Sequence, residues 1–580
     1  MVDNAMAGRK LKWGHVATIA LGNLSRLGLL VGSLLFASAL TPTLVPRDPL
    51  PQGALAGLCF FIGYAIGAFV TWLWAYLGLP RIDRWQTATR YAAAVVSLAF
   101  VVAALWLSAD WQNSVRHAVG MPPVDSFNPF IVCGIAAVTF AVLLVLARLA
   151  KGLAVVIDRP MRRYIPPRVA ITLAVTLTTV ILWSLASDVL ARAVFRLLDA
   201  SYRQYDALLE PERPRPGEAQ RTGSPSSLIS WNELGRAGRE FVASGPRASD
   251  IGAITERPAL EPIRVYVGLQ SEQTAEGRAR LALEELKRQG GFSRSVLIVI
   301  TPTGTGWVDP AAIDTVEYLH DGDIASVAVQ YSYLSSPLSL LAHPEYGADT
   351  ARALFSQIYG YWTKLPKETR PKLYLYGLSL GAMNSQQSTR LFEMIDDPVQ
   401  GALWSGPPFT SALWKSITEE RNAGSLARLP QFRDGRLIRF MNQNGFPGQE
   451  IPQTWGPLRI VYLQYASDPI VLFSFEDFYR SPDWMREPLA RDVSPQLRWY
   501  PIVTGFQLIL DMLVANKTPM GFGHVYAPEH YIDAWVAVTD VRGWSQSQLA
   551  VLKRHFTVLQ ETNASSAKDD AGTGYEGRGG

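Results

Sequence analysis

Gly377-Leu378-Ser379-Leu380-Gly381 stands between an apolar run, Lys372–Tyr376, and a stretch of helical composition that begins at Leu380. Gly-x-Ser-x-Gly in that setting predicts a strand that turns sharply into a helix with the serine at the turn. Both glycines are needed because a side chain at either place would collide with the strand or the helix. The turn would present the Ser379 hydroxyl at the end of a sheet. It would also set the Leu380 N–H at a helix N-terminus, where developing negative charge on oxygen is stabilised. A serine hydroxyl is a weak nucleophile, so this chemistry needs a base to take its proton and an acid to orient the base.

Histidines are scarce, and only His524, His530 and His555 follow the serine. His524 lies in Gly521-Phe522-Gly523-His524-Val525-Tyr526, a glycine-bracketed loop ahead of a helix that could carry an imidazole over a sheet edge. His530 falls within the following helix and His555 near the C-terminal end. The plain alternative for His524 is a loop histidine satisfied by local hydrogen bonds. For the acid, the apolar run Arg459–Tyr465 leads into Ala466-Ser467-Asp468-Pro469. That places Asp468 just beyond a strand end, where functional groups gather in open α/β sheets. Its plain alternative is a turn or helix-capping aspartate before proline; Asp434 and Asp477 are weaker rivals. A second group of oxyanion donors is expected from a loop after an earlier strand. Val299-Ile300-Thr301 runs into Pro302-Thr303-Gly304-Thr305-Gly306-Trp307, so the backbone N–H groups of Thr303, Gly304 and Thr305 are candidates. A phosphate-binding loop is disfavoured, because the Lys-Ser/Thr ending it requires is missing.

These residues need a scaffold, and the sequence describes one. Runs of strand length occur at Ile263–Val267, Ser295–Thr301, Ser326–Tyr331, Lys372–Tyr376, Gly401–Trp404, Leu437–Met441 and Arg459–Tyr465. Between them lie helical stretches: Thr274–Gln289, stopped by Gly290-Gly291, then 346–363 and 380–394. Such alternation predicts a mostly parallel sheet with helices on both faces. Before it, residues 205–228 are rich in Pro, Arg, Glu, Gly and Ser and read as solvated linker. After it, the Gly/Ser/Asp-rich residues from about 562 read as a disordered tail.

The first 200 residues are of another kind. Five apolar stretches, at about 20–41, 53–79, 91–108, 129–149 and 169–190, approach the roughly 20 residues that cross a bilayer. The first lies too far from a small-residue cleavage site, with Thr41-Pro42-Thr43 following, and reads as a retained anchor. Lys and Arg alternate between loops: Arg9, Lys10 and Lys12 precede the first stretch. Arg81, Arg84 and Arg90 follow the second, and Lys151, Arg159, Arg162, Arg163 and Arg168 lie around the join of the fourth and fifth. The positive-inside rule then predicts a cytoplasmic N-terminus and, after an odd number of spans, an extracytoplasmic C-terminal domain, a parity that one span more or fewer would reverse. Few ionisable residues interrupt the spans, which disfavours transport. A net charge of +4 over 580 residues, without a basic patch, disfavours nucleic-acid binding. The two cysteines, Cys59 and Cys133, both in apolar runs, offer no disulfide framework, and no Cys/His spacing suggests a metal. No cofactor motif is present.

Taken with these motifs, the chain resembles the bacterial membrane α/β-hydrolase family, which joins an N-terminal transmembrane region to an α/β-hydrolase domain. The likeness rests on Leu40-Thr-Pro-Thr-Leu-Val-Pro-Arg47, Glu261–Gly268, Thr303–Pro310 and Gln330–Leu334, on the serine turn, and on Gly401–Pro408, Tyr462–Pro469 and Gly523-His524. Leu378 stands where the family pattern has Glu, and Phe522 where it has His. The resemblance implies the fold and the hydrolase class; with the patterns above, the expected organisation is an N-terminal transmembrane helical bundle of about five spans (1–200), a linker and entry segment (201–262), an α/β-hydrolase domain with a mostly parallel sheet (263–560) and a disordered tail (561–580).

The expected activity is cleavage of a carboxylic ester through Ser379, His524 and Asp468, with an acyl-enzyme and an oxyanion held by Leu380 and the 303–305 loop. The segment Trp499–Ala515 is apolar and falls between the expected acid and base. A sixth span there would separate Asp468 from His524 across the membrane, so a buried or interfacial helix is expected. A helix lining an acyl pocket would make a lipid-like ester the substrate and the bilayer the partner. An acyltransferase with the same three residues, or an inactive membrane scaffold or transporter accessory, are the competing readings.

Overall fold

The computed structural model describes residues 24–80, 86–185, 187, 201–210, 213–336, 338–339, 344–389, 396–446 and 454–573. The chain forms two compact units: one comprises the chain to Arg192 together with Phe473–Val514, the other Ala193–Leu472 with Ala515–Gly580.

The first unit is helical: α1 (Arg26–Ala39), α2 (Pro49–Tyr76), α3 (Gln86–Ala118), α4 (Pro129–Met161) and α5 (Pro167–Ser184). Glycine sets its packing. Gly28 and Gly32 on α1 face Gly63 and Gly67 on α2; a Cβ on Gly63 would come 2.6 Å from the Val31 carbonyl oxygen, and one on Gly67 as close to the Gly28 nitrogen. One turn into α2, Gly53 and Gly57 meet Val132, Ile135, Ala136 and Thr139 of α4 in the same way. Paired Gly-x-x-x-Gly motifs let helix backbones approach within van der Waals contact, the usual means of helix association where apolar burial offers no gain. Among the described residues, α2, Tyr91–Ala118 of α3, α4 and α5 are long and apolar enough to span a membrane. The expected count of five becomes four. Helix α1 has 14 residues, about 21 Å at 1.5 Å each, short of a hydrocarbon core of about 30 Å. The part of the first expected stretch before residue 24 lies outside the described residues.

The segment between the expected acid and base also belongs to this unit. Its apolar part forms α13 (Val503–Val514), whose Val503, Phe506 and Leu510 pack among Phe36 of α1, Leu40 just after it, Leu55 and Cys59 of α2, and Ala104 of α3. Helices thus cover this part of α13, while Leu513 on the same helix stays exposed. A polar cluster locks it in place. Asp511, fully buried, accepts from Arg47 Nε at 2.7 Å, and from Thr43 Oγ1 and the Leu44 N–H at 3.2 Å each. Arg47 also donates to Gln52 Oε1 at 2.9 Å, Thr43 Oγ1 at 2.7 Å and the Gln507 carbonyl at 3.2 Å.

The second unit carries a seven-stranded sheet, all of whose pairs are parallel, in the order β1-β3-β2-β4-β5-β7-β6. The strands are β1 (Ile263–Val267), β2 (Val296–Thr301), β3 (Ile324–Val329), β4 (Lys372–Leu378), β5 (Gly401–Ser405), β6 (Ile438–Met441) and β7 (Arg459–Leu463). They are the runs expected from sequence, buried on both faces as a parallel sheet requires. Flanking helices include α8 (Ala275–Arg288), capped by the Thr274 hydroxyl, α9 (Pro310–Leu319), α10 (Pro344–Trp362), α11 (Leu380–Ser388), α12 (Ala412–Glu419), α14 (Pro528–Thr539) and α15 (Gln546–Thr573). Register aligns Thr301 with Gly377, Leu378 with Ser405, and Ser405 with Leu463. The chain therefore leaves β2, β4, β5 and β7 along one edge of the sheet.

Two expectations from composition do not hold. Within the expected linker 205–228, Thr222 and Ser224 are fully buried, and the chain after it forms α6 (Gly235–Ala243) and α7 (Ala248–Thr255). The Thr222 hydroxyl donates to the Arg264 carbonyl at 2.9 Å, and the buried Glu285 of α8 accepts from Ser227 Oγ and the Leu228 N–H. Polar residues satisfied one by one leave no periodic apolar signal. At the other end α15 continues to Thr573 where a disordered tail is expected from about 562.

Candidate active site

The sheet edge gathers the expected residues. Strand β4 ends at Leu378, α11 begins at Leu380, and Ser379 between them has φ 57° and ψ −125°. An L-residue avoids this backbone region, and such strain persists only where the surroundings impose it. They do so here. A Cβ on Gly377 would lie 2.5 Å from the Gly381 carbonyl group, and one on Gly381 would run into the Thr301 carbonyl oxygen. The Ser379 N–H is tied to the Ser405 carbonyl of β5 at 2.9 Å. Leu380 opens α11, so its N–H has no partner within the helix. Leu380, Met383 and Tyr331 form a small buried cluster beside the turn.

Beyond β7, Asp468 is fully buried. Its Oδ1 accepts the Ile470 N–H at 2.9 Å, the local cap expected of an aspartate before a short helix. Its Oδ2 does something else: His524 Nδ1 lies 2.7 Å away, and the Tyr526 hydroxyl donates to the same oxygen at 2.8 Å. The histidine loop is tied down independently. The Gly523 N–H donates to Ser467 Oγ at 3.0 Å and the His524 N–H to the Ala515 carbonyl at 3.2 Å. Gly521 and Gly523 adopt φ of 87° and 56°, and a Cβ on Gly523 would press on the Thr518 side chain.

The imidazole lies over Gly406, the residue after Ser405; a Cβ there would be 2.6 Å from His524 Cε1. Gly406 has φ 49° and donates its N–H to the Leu463 carbonyl. Ser379 and His524 are thus both anchored at the end of β5, through Ser405 and Gly406 respectively. His524 Nε2 is buried and has no hydrogen-bond partner among the described residues, Ser379 Oγ included. Histidines 530 and 555 are engaged elsewhere. His530 Nδ1 pairs with the Tyr465 hydroxyl at 2.7 Å, and His555 with that of Tyr318 at 3.2 Å. The rival Asp477 accepts the Ser474 N–H in the first unit.

The 302–307 loop meets the expectation only in part. The Thr303 N–H donates to the Trp307 carbonyl at 3.0 Å and the Gly304 N–H to Ser336 Oγ at 3.1 Å. The turn geometry consumes both donors. Thr305 is the one of the three whose N–H is given no acceptor among the described residues.

Sequence reasoning missed a second buried acid. Asp309, in Trp307-Val308-Asp309-Pro310, caps α9 through the Ala311 N–H at 3.0 Å and accepts the Tyr531 hydroxyl at 3.0 Å. Burial pushes its carboxyl up to about 7, against the pull of those two donors and of nearby His524. Tyr531 in turn meets the Tyr376 hydroxyl at 3.1 Å. The signal that could have found Asp309 is an aspartate at a helix start directly after the candidate loop. For Tyr526 it is a tyrosine two residues beyond the candidate base. Among the described residues no group of three His, Cys, Asp or Glu side chains is placed to hold a metal ion.

Comparison with curated proteins and with solved structures finds no match. Comparison with protein families does: residues 263–552 match the alpha/beta-hydrolase family and residues 40–246 match the N-terminal region of that family. The matched span takes in the whole sheet, the strained serine turn and the Asp468–His524 pair. With half the chain matched over its sheet domain and most of the remainder over the associated N-terminal region, the protein belongs to the alpha/beta-hydrolase family.

Proposed function

We propose that the protein is a membrane-associated serine hydrolase that cleaves a carboxylic ester, lipid-like in character, through an acyl-enzyme on Ser379. The observation that carries this reading is the strained Ser379 turn anchored at the same strand end as a buried imidazole whose other nitrogen is held by a carboxylate. A carboxylate only accepts hydrogen bonds, so the Nδ1 of a neutral His524 carries its proton and Nε2 is left as the base.

In the proposed reaction Nε2 removes the Ser379 proton as Oγ attacks the ester carbonyl. Asp468 stabilises the imidazolium that forms. The Leu380 N–H at the start of α11 and the Thr305 N–H are the donors proposed for the oxyanion. The imidazolium then returns the proton to the departing alcohol. Water, activated by the same nitrogen, hydrolyses the acyl group. The four apolar helices support a substrate drawn from, or presented at, a bilayer.

The proposed side of the membrane is extracytoplasmic, and it does not depend on α1. Arg81 and Arg84 lie between α2 and α3, with Arg90 in the second turn of α3; Arg162 and Arg163 lie between α4 and α5, with Arg168 in the first turn of α5; residues 119–128 between α3 and α4 contain no Lys or Arg. Both basic segments belong to the cytoplasmic side, and α5 leads outward from the second of them.

The test is fluorophosphonate labelling of the full chain in detergent, wild type beside Ser379→Ala. Labelling of the wild type that vanishes with Ser379→Ala is expected. A correctly folded wild type that takes no label would overturn the reading.

A further inference from the structure

We propose that Tyr526 is a positioning residue of the active site: its hydroxyl holds the Asp468 carboxylate so that Oδ2 meets His524 Nδ1. The proposal rests on the serine-hydrolase reading above. Asp468 has two carboxylate oxygens in a site closed to solvent, and only one of them faces the imidazole. Oδ1 is fixed by the Ile470 N–H at 2.9 Å. That single bond leaves the carboxylate free to rotate about Cβ–Cγ by the small angle that would lengthen the contact to Nδ1. The Tyr526 hydroxyl, donating to Oδ2 at 2.8 Å, supplies the second point that defines the plane.

Tyr526 is itself built to be immobile. It is 2% exposed, its ring stacks on Tyr465 at 4.4 Å between centroids, and its edge meets the His524 ring at 5.7 Å. Tyr465 is held in turn, since its hydroxyl accepts the Ala527 N–H at 3.1 Å and pairs with His530 Nδ1. Gly406 is part of the same arrangement: a Cβ there would stand 2.6 Å from His524 Cε1 and 2.8 Å from the Tyr526 hydroxyl. One glycine thus admits the imidazole and the phenol together. Burial and the neighbouring Asp468 keep the phenol protonated, so it remains a donor across the working pH range.

A donor shared on Oδ2 also tempers the charge that His524 feels. Removing it concentrates negative charge on the oxygen that faces Nδ1, which favours the imidazolium. The other titratable groups around this pair are Asp309, which acts on His524 electrostatically, and Tyr465 beside Asp468. Tyr531 donates to Asp309 at 3.0 Å, and its ring lies 6.2 Å from that of Tyr526 between centroids.

The experiment compares wild type, Tyr526→Phe and Ser379→Ala as full chains in detergent, with p-nitrophenyl esters as the probe. Tyr526→Phe keeps the ring, its stacking and its volume. Expected are a kcat lower by about tenfold, a KM within about twofold, and an acid limb of the kcat/KM profile moved to higher pH by about half a unit. The low-field proton resonance of the Nδ1–H···Oδ2 bond should shift in Tyr526→Phe and stay in place in Ser379→Ala. Unchanged kcat, acid limb and resonance would overturn the proposal, and so would a rate loss that merely follows a lower melting temperature with no shift of the acid limb. The resonance needs no turnover. If the wild type proved inactive towards every ester, the serine-hydrolase reading would fall while the resonance still decided whether Tyr526 positions the pair.

Discussion

Replacing Asp511 by alanine removes the acceptor around which the 41–48 loop and α13 are organised. The carboxylate is fully buried against Arg47, whose guanidinium is equally buried. In Asp511→Ala that guanidinium keeps neutral acceptors from Gln52, Thr43 and the Gln507 carbonyl but loses its counter-charge. The Leu44 N–H and Thr43 hydroxyl lose an acceptor as well. Leaving a buried charge without its partner costs about 3–5 kcal/mol. For a folded unit of this size, 1 kcal/mol corresponds to roughly 2–4 °C. The expected drop in melting temperature is therefore about 6–20 °C, read by tryptophan fluorescence of the full chain in detergent. Proteolysis should report the same change locally, with new cuts within 473–514, the segment that α13 secures. The control is Arg47→Met with Asp511→Leu, which removes both charges. Apolar replacement of a buried pair is often close to neutral, so the double variant should recover a large part of the loss. A single variant that melts within about 2 °C of wild type would refute the reasoning, since it would mean that the cluster is not holding α13.

Two further outcomes follow from the second unit. Asp309 has its carboxyl raised from 3.8 to about 7 by burial, so the folded state binds its proton more tightly than the unfolded state does. The stability it contributes is full below pH 4 and is lost as pH rises through about 7, on the order of 4 kcal/mol in all. Asp309→Asn should flatten that dependence, gaining on wild type at pH 8 relative to pH 5 in paired melting curves; parallel curves would exclude it. Gly381→Ala should remove ester hydrolysis by about a hundredfold or more, because its Cβ meets the Thr301 carbonyl and can be accommodated only by moving the serine turn. Activity within threefold of wild type would show that the turn tolerates the shift.

How much of this was legible beforehand differs between the two halves of the site. The seven strands were readable because both faces of a parallel sheet are buried, so each strand is a short continuous apolar run. The serine turn was readable because glycine on both sides is a local steric demand. Asp468 and His524 could be shortlisted by chain order and by their places after a strand and within a glycine loop. That they touch is a tertiary property: the loop carrying His524 is tied beside Asp468 by the Gly523 N–H to Ser467 Oγ. Tyr526 and Asp309 carried no motif of their own, since a tyrosine or a capping aspartate is common and becomes part of the site only through contacts across the sheet edge.

The sequence by itself determined the class of the protein: apolar helices of spanning length, then a parallel α/β sheet with a Gly-x-Ser-x-Gly turn, each written in local periodicity and glycine placement. Only the tertiary structure decided that α1 is too short to span and docks on α2 through facing glycines. Only it showed that the polar 201–262 segment folds with the unit that carries the sheet. It alone placed the stretch between acid and base inside the helical unit, locked by Arg47 and Asp511. Those choices turn on contacts between residues hundreds of positions apart, Arg47 with Asp511 above all, and no local pattern of residue types encodes which distant partner satisfies a buried charge.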